Sequence, residues 1–414
     1  MGSNGATGLA GRTELQARGR DGSNATLFAA VLFLLFAMGW AASHFVALMP
    51  AISDSQHMSP AMLDAIFGIY ALGLLPGLVV GGRTSDAWGR RPVALTGAAA
   101  ALVGTLAMVV SEHSFPLLVG RFVVGLGVGL AMSSGTAWAS DLRGTPGAAT
   151  AGAVLIAGFA VGPFIAGAVA GAGRPGVGLS FWIAAGLLVL AMGIAAVTPQ
   201  DAGASAAARD PEHAAHARHG VGWALGWAMP LAPWVFASAT LGFVTLPARM
   251  HTALSAPLAA GTATLLVNGV SGLVQVAARA RAWGPQAGTV GAVLAALGYA
   301  ASAAAPPTMS LAMGLPLLLV LGCASGLCLR EGLIDLQTAA PPRVRGALVG
   351  AFYAVTYVGF ALPLLLTVVG SPTVSALILL ALAAVAAATA VGRAVRLRRN
   401  AHRGKPIGHR MPGP

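Results

Sequence analysis

The sequence predicts an all-α polytopic membrane protein arranged as two six-helix bundles, and three observations carry that prediction. Charge is scarce: 9% of the 414 residues are charged, 57% are hydrophobic and mean hydropathy is +0.79, whereas a soluble domain carries about 25% charged residues. Apolar stretches recur twelve times at a length that crosses a bilayer, roughly 20 residues for about 30 Å of hydrocarbon. One sizeable polar interruption, 199–220, divides them six and six. Each stretch is expected to be helical, because an isolated strand leaves its backbone groups unpaired in lipid.

In order, the spans read as 26–51, 61–82, 92–110, 115–139, 148–170, 177–198, 221–246, 254–277, 287–305, 309–332, 346–369 and 372–392. Residues 1–25 are polar and Gly-rich, without the apolar core of a signal peptide, and read as a disordered tail. The first bundle is then 26–198, the central loop 199–220, the second bundle 221–392, and 393–414 a basic tail outside the hydrocarbon. Taking the N-terminus as cytoplasmic leaves four of the 24 Lys and Arg residues off the inner loops and tails. Those four are Arg174 and Arg249 in outer loops and Arg121 and Arg330 within spans. Basic residues collect on the cytoplasmic side, so both termini are expected there. Lys405 is the only lysine, and Ala and Gly abound. Both features point to a GC-rich bacterial genome and hence to the plasma (inner) membrane.

The net charge of +12 is spread over short loops and tails, unlike the clustered basic domain of a nucleic-acid binder, so no nucleic-acid partner is expected. Cys323 and Cys328 are five apart on one helix and point to different sides, which argues against a disulfide or a metal site. Neither a cofactor nor a metal is expected. The expected partners are a small-molecule substrate, protons and membrane lipids, with the chain a monomer.

A weak internal repeat supports two homologous halves. Ala87-Trp88-Gly89 recurs as Ala282-Trp283-Gly284, and Ser140-Asp141-Leu142 is echoed by Ile334-Asp335-Leu336. Gly158-Phe159-Ala160 with Pro163 is echoed by Gly359-Phe360-Ala361 with Pro363. Two such halves are the arrangement that permits alternating access.

Between the second and third spans stands Gly82-Arg83-Thr84-Ser85-Asp86-Ala87-Trp88-Gly89-Arg90-Arg91. Gly82 and Gly89 allow a tight turn and close helix approach. Asp86 can accept hydrogen bonds or face a helix N-terminus, and Arg90 and Arg91 can pair with an acid or a lipid phosphate. A plain positive-inside loop would need only the arginines. The spacing resembles the loop between helices two and three of the major facilitator superfamily of transporters. That resemblance implies a gating motif that latches the halves in the outward-facing state, with Arg90 paired to Asp141 at the end of span four. Ala87 departs from the pattern, which has Arg or Lys after the aspartate.

Span four continues from Gly120-Arg121 into Gly125, Gly127 and Gly129. An arginine within a span is costly and either snorkels outward or serves function. The resemblance implies proton transfer or the holding of an anionic substrate. Span five carries Gly158, Gly162, Pro163 and Gly167. Small residues four apart admit close helix packing and proline bends the helix. The run resembles the fifth-helix motif of the twelve-span drug:proton antiporters, with Ala149 and Ala166 in place of two of its glycines.

Few other ionisable groups lie in or near spans. His44 can exchange a proton near neutral pH or simply bond a neighbouring helix. Asp64 reads as a helix-start acid near the outer surface or as a proton site. Arg330, Glu331 and Asp335 close span ten as an ion-pair network equivalent to the Asp141 cluster, with Glu331 the deeper proton candidate. Tyr353 and Tyr357 share a face and are pocket candidates, while Trp223 and Trp227 fit an interfacial belt. Gly269-Val270-Ser271-Gly272 has the form of an intramembrane protease nucleophile, but a histidine base is missing from the second bundle's interior. Glu212, His213, His216 and His219 read as a solvated loop rather than a metal site.

These features point to a secondary active transporter. The favoured reading is proton-coupled efflux of hydrophobic small molecules or drugs by alternating access. The alternative is proton symport or facilitated uptake of a small organic anion held by Arg121. No enzymatic activity is expected.

Overall fold

The computed structural model describes residues 4–111, 113–199, 220–339 and 345–402. Among them are twelve helices long and apolar enough to cross a membrane. They are Asn24–Gln56, Pro60–Trp88, Arg90–Val110, Ser114–Gly144, Pro146–Ala170, Arg174–Val197, Val221–Arg249, Ala256–Ala280, Gln286–Ala304, Leu311–Ala339, Leu348–Val369 and Pro372–Ala401. All are numbered below as spans one to twelve. An even number of spans returns the chain to the face from which it started, the terminal face; the opposite one is the far face. The central loop, with Glu212, His213, His216 and His219, and the residues after His402 lie outside the described residues.

Three expected boundaries move. Helical backbone begins at Asn4, well before the first span, because a helix already nucleated in the membrane extends cheaply into residues that tolerate it. The turn after span two shrinks to one residue: the helix runs through Asp86 to Trp88 and only Gly89 breaks it, at φ 96°. Among residues 83–88 none resists a helix, whereas Gly89 occupies backbone space that a side chain disfavours. Span twelve continues in a helix to His402, so Arg393 is not in a tail. It is 4% exposed inside the second half.

Packing in the first half is backbone to backbone. A Cβ on Gly73 would lie 2.1 Å from Phe122 O, and one on Gly125 2.1 Å from Tyr70 O. Gly127 meets span three in the same way, 2.4 Å from Gly97 O. The glycines following Arg121 thus let span four touch spans two and three at once, the close-packing device of membrane helices. Side chains such as Leu179, Trp182, Val189 and Leu190 of span six stay exposed on the outside of the bundle, where lipid is their solvent.

The second half is less regular. Span seven breaks at Met229–Leu231 and again through the π-helical turn Leu241–Thr245. Span eleven breaks at Val358–Phe360. The last two of these three interruptions lie against each other: Thr240 Oγ1 donates to Gly359 O at 3.0 Å, and a Cβ on Gly359 would meet Ala237 N at 2.2 Å. Non-helical backbone at membrane depth survives only where protein covers it.

The repeat is reproduced unevenly. Gly158 packs span five on span one, 2.3 Å from Phe36 O by its would-be Cβ, as Gly359 packs span eleven on span seven. In the echoed turn, by contrast, the positive φ falls on Ala282 at 49° rather than on Gly284.

Candidate functional site

The residues expected to form a gating motif make an ion-pair network within the first half. Arg90 Nε donates to Asp141 at 2.8 Å, the pairing that the resemblance implied, while its Nη1 donates to Ser85 at 2.9 Å and to Asp86 at 2.5 Å. A planar guanidinium suits several acceptors at once. The pair is partly open to solvent, at 23% and 24% side-chain exposure, and Asp86 is exposed. Arg91 takes no part. Two expectations shift. Gly82 makes no close approach; its neighbour Gly81 does, 2.8 Å from Leu130 Cα by its would-be Cβ. Among the described residues the motif's bonds stay within spans two to four rather than reaching the second half.

Arg121 does not snorkel. It is fully buried, donates from Nη1 to Ala42 O at 2.8 Å, and stacks 4.6 Å from the Tyr70 ring and 5.0 Å from Phe45. Cation–π contact offsets part of the burial cost, yet Nε and Nη2 have no partner among the described residues. His44 is also fully buried, where the first span makes a turn between two helical segments. Its Nδ1 lies 3.1 Å from both Trp40 O and Ala41 O, and its ring meets Phe181 of span six edge-on at 5.5 Å. His44 therefore faces its own half, not the space between the halves.

The fifth-span motif divides between two interfaces. Gly158 and Gly162 face span one, the latter 3.0 Å from Trp40 Cα by its would-be Cβ. Pro163 and Gly167 face span eight of the other half. A Cβ on Gly167 would lie 2.3 Å from Pro257 O, and one on Gly261 2.3 Å from Pro163 O. Farther along the same seam Asn268 Nδ2 donates to Phe159 O at 3.3 Å. Gly272 of the protease-like run is part of it too, 3.3 Å from Ile156 by its would-be Cβ, so that run serves packing.

Spans two and eleven form a second seam. Asp64, expected near the surface, is 6% exposed, with its Oδ2 2.5 Å from Thr367 Oγ1. One turn deeper Phe67 stacks on Phe360 at 4.9 Å and meets Phe243 at 6.3 Å. Phe360 in turn packs 5.3 Å from both Tyr357 and Phe236, and Tyr357 lies 4.5 Å from Phe236. Tyr353, half-buried, continues the face 6.5 Å from Tyr357. An aromatic cluster from spans two, seven and eleven thus lies between the halves beneath a seal on the far face. Tyr353 and Tyr357 were legible from their spacing. Phe67 and Phe236 were not: Tyr70 and Trp234 stand close by in their spans, and nothing in the local pattern says which of these rings turns toward the other half.

The charges of the second half lie elsewhere. Arg330 pairs with Glu331, which is fully buried, its Oε2 without a partner among the described residues. Asp335 pairs not with Arg330 but with Arg393 of span twelve at 2.7 Å, which also donates to Trp227 O at 3.1 Å and Pro285 O at 3.4 Å. The Arg393 guanidinium sits 5.0 Å over the Trp227 ring, so Trp227 packs inside the bundle rather than in a belt. Asp141 and Asp335 thus each hold an arginine, but from non-equivalent helices. A cavity of about 270 Å³ opens between spans seven and twelve beside Arg393 and Arg396, apart from the aromatic cluster.

A family model described as Major Facilitator Superfamily matches residues 30–363. Multidrug resistance protein MdtL of Klebsiella pneumoniae (strain 342) is 36% identical over 81 residues, covering 20% of this chain and 21% of that protein. Its counterpart from Escherichia coli (strain K12 / DH10B) is 35% identical over 81 residues, with the same coverage. The match therefore spans about a fifth of the length of these curated relatives. Among solved structures, a peptide transporter POT mutant in complex with alafosfalin superposes with TM-score 0.73 at 14% identity, covering 92% of this chain and 96% of that one. A mutant of the nucleoside transporter NupG gives TM-score 0.64 at 13% identity, covering 90% and 99%. At such identities the likeness is one of fold. With that fold in two halves and the family model running across most of its length, the chain belongs to the Major Facilitator Superfamily, a family of transporters.

Proposed function

We propose that this transporter exports hydrophobic small molecules, drugs among them, by proton-coupled alternating access from a bacterial inner membrane. The terminal face is the cytoplasm in this reading, supported by the arginines at the ends of spans two, four, eight and twelve and the positive-inside bias. The observation that carries it is the aromatic cluster between the halves, where Phe67, Phe236, Tyr357 and Phe360 offer faces rather than charges. Such a site suits apolar and planar or cationic cargo. The local likeness to MdtL supports export as the direction.

The halves rock about this cluster. In the state described, spans two and five of the first half meet eleven and eight of the second and close the far face. The Arg90–Asp141–Asp86 network and the seam through Pro163, Gly167 and Gly261 serve the two extremes of that motion. Glu331 is assigned to proton exchange, because its Oε2 lacks a partner while Asp335 is held by Arg393. The test is efflux in everted vesicles, with Asp86→Asn as the inactive control in a drug-susceptibility panel. Efflux that persists unchanged after the pH gradient is collapsed refutes the coupling.

Arg121 favours a second reading. Its unpartnered Nε and Nη2 are donors that an organic anion could occupy, making the protein a proton symporter for uptake. Substrate-dependent alkalinisation of the medium, lost in Arg121→Gln, would select that reading over export.

A further inference from the structure

Thr367 has more close oxygen neighbours than protons to give them. Its Oγ1 lies 2.5 Å from Asp64 Oδ2 and 2.9 Å from Pro363 O. A hydroxyl carries one proton, and a backbone carbonyl has none. The contact to Pro363, four residues earlier, is the usual back-bond of a helical threonine and takes that proton. The 2.5 Å approach to Asp64 then needs a second proton, and the Asp64 carboxyl is the group that can carry it. A neutral acid completes a chain in which Asp64 donates to Thr367 and Thr367 donates to Pro363. An ionised acid leaves one of the two short contacts without a hydrogen, a cost comparable to a lost hydrogen bond.

The surroundings of Asp64 agree with a neutral acid. It is 6% exposed and forms no ion pair with the described residues. Asp54 and His57 at the end of span one are exposed, as is His113 before span four. Arg121 of span four spends Nη1 on Ala42 O and stacks on Tyr70 and Phe45, and its remaining donors make no bond to Asp64. Arg249 at the end of span seven is spent on the carbonyl oxygens of Ser302, Ala305 and Pro306. Span eleven contributes Tyr357, packed in the aromatic cluster, and span two itself contributes Tyr70. A carboxylate buried without a cation is strongly disfavoured.

Asp64 and Thr367 belong to different halves, so this chain exists only while the far face is sealed. We propose that Asp64 is a proton-operated latch of that seal. It holds a proton while the halves are together at spans two and eleven, and releases it to water on the far face when they part. The latch depends on the alternation of two halves alone. It is independent of the cargo and of the residue that carries the coupling proton.

The test uses the full chain in lipid nanodiscs, with Cys323 and Cys328 replaced by alanine. Spin labels are placed at the exposed positions His57→Cys and Thr373→Cys, one on each half at the far face. The expected ratio of open to sealed distances rises with pH, by up to about tenfold per pH unit for a single linked proton. Asp64→Asn, whose amide N–H donates to Thr367 at every pH, stays sealed throughout. Thr367→Val, which removes the acceptor, weakens the seal and raises the open-to-sealed ratio at every pH. A wild-type ratio independent of pH overturns the latch, as does Asp64→Asn with the wild-type response. Should Asp64→Asn fail to yield monodisperse protein, an unchanged open-to-sealed ratio in Thr367→Val overturns it equally. The readout is a distance rather than transport, so its failure leaves the export reading standing, and failure of export leaves the latch standing.

Discussion

Gly261→Ala tests whether the seam between spans five and eight is a moving interface. The added Cβ would lie 2.3 Å from Pro163 O and 3.0 Å from Phe164 Cα. Both are backbone atoms, so no rotamer change relieves the clash, and a carbon ordinarily stays about 3.3 Å or more from an oxygen. The spans must separate by about 1 Å, an overpacking of the kind that costs roughly 1–3 kcal/mol. If the far face opens elsewhere in the cycle, that cost falls only on the sealed state, and the open-to-sealed ratio rises about 5- to 150-fold. Alanine is the better helix former, so the fold itself should not suffer. Gly158→Ala is the matched control. Its Cβ would meet Phe36 O at the same 2.3 Å, but spans one and five belong to one half and cannot part by rocking. That variant should lose thermal stability and folded yield instead. Distances between labels at positions 57 and 373, read beside melting by fluorescence-detected size exclusion, separate the two outcomes. Unchanged distances in Gly261→Ala, or a shift as large in well-folded Gly158→Ala, would refute the reasoning.

Other expectations follow from burial. Asp335→Ala leaves Arg393 charged and 4% exposed without its acid, which should cost about 3–5 kcal/mol; a lowered melting temperature, partly restored in Asp335→Ala with Arg393→Met, is the readout. Asp141→Asn breaks a pair that water already reaches, so stability should fall by less than about 1 kcal/mol while export drops, separable by comparing melting with efflux. Tyr357→Ala removes a ring that touches both Phe236 and Phe360 and should lower export of aromatic cargo more than of aliphatic cargo, measured by competition in vesicles.

Much of the architecture was legible because lipid imposes it. The spacing of apolar stretches set the helix number, and the 199–220 interruption set the division into halves. The Arg90–Asp141 contact was legible too, through the likeness of its loop to a family motif. The helix ends were harder to read. Composition marked Arg83 to Trp88 as a loop because they are polar, yet polar residues continue a helix unless a position such as Gly89 forbids it. Arg393 looked like the start of a tail for the same reason. A charge can stay inside when Asp335 and two carbonyls receive it, and those acceptors come from spans far away in the sequence.

The sequence by itself determined that this chain crosses a membrane twelve times, in two sets of six, with its arginines gathered on one face. These follow from local hydropathy and charge, which need no knowledge of neighbours. Only the tertiary structure decided which side chains meet: that the far face is sealed, that Phe67 and Phe236 join the tyrosines, and that His44 turns into its own half. It alone decided that Asp64 lies against Thr367 on the other half. Those facts depend on the rotation and mutual approach of helices, which one-dimensional periodicity does not encode, and in lipid the fit of small residues such as Gly167 and Gly261 sets them.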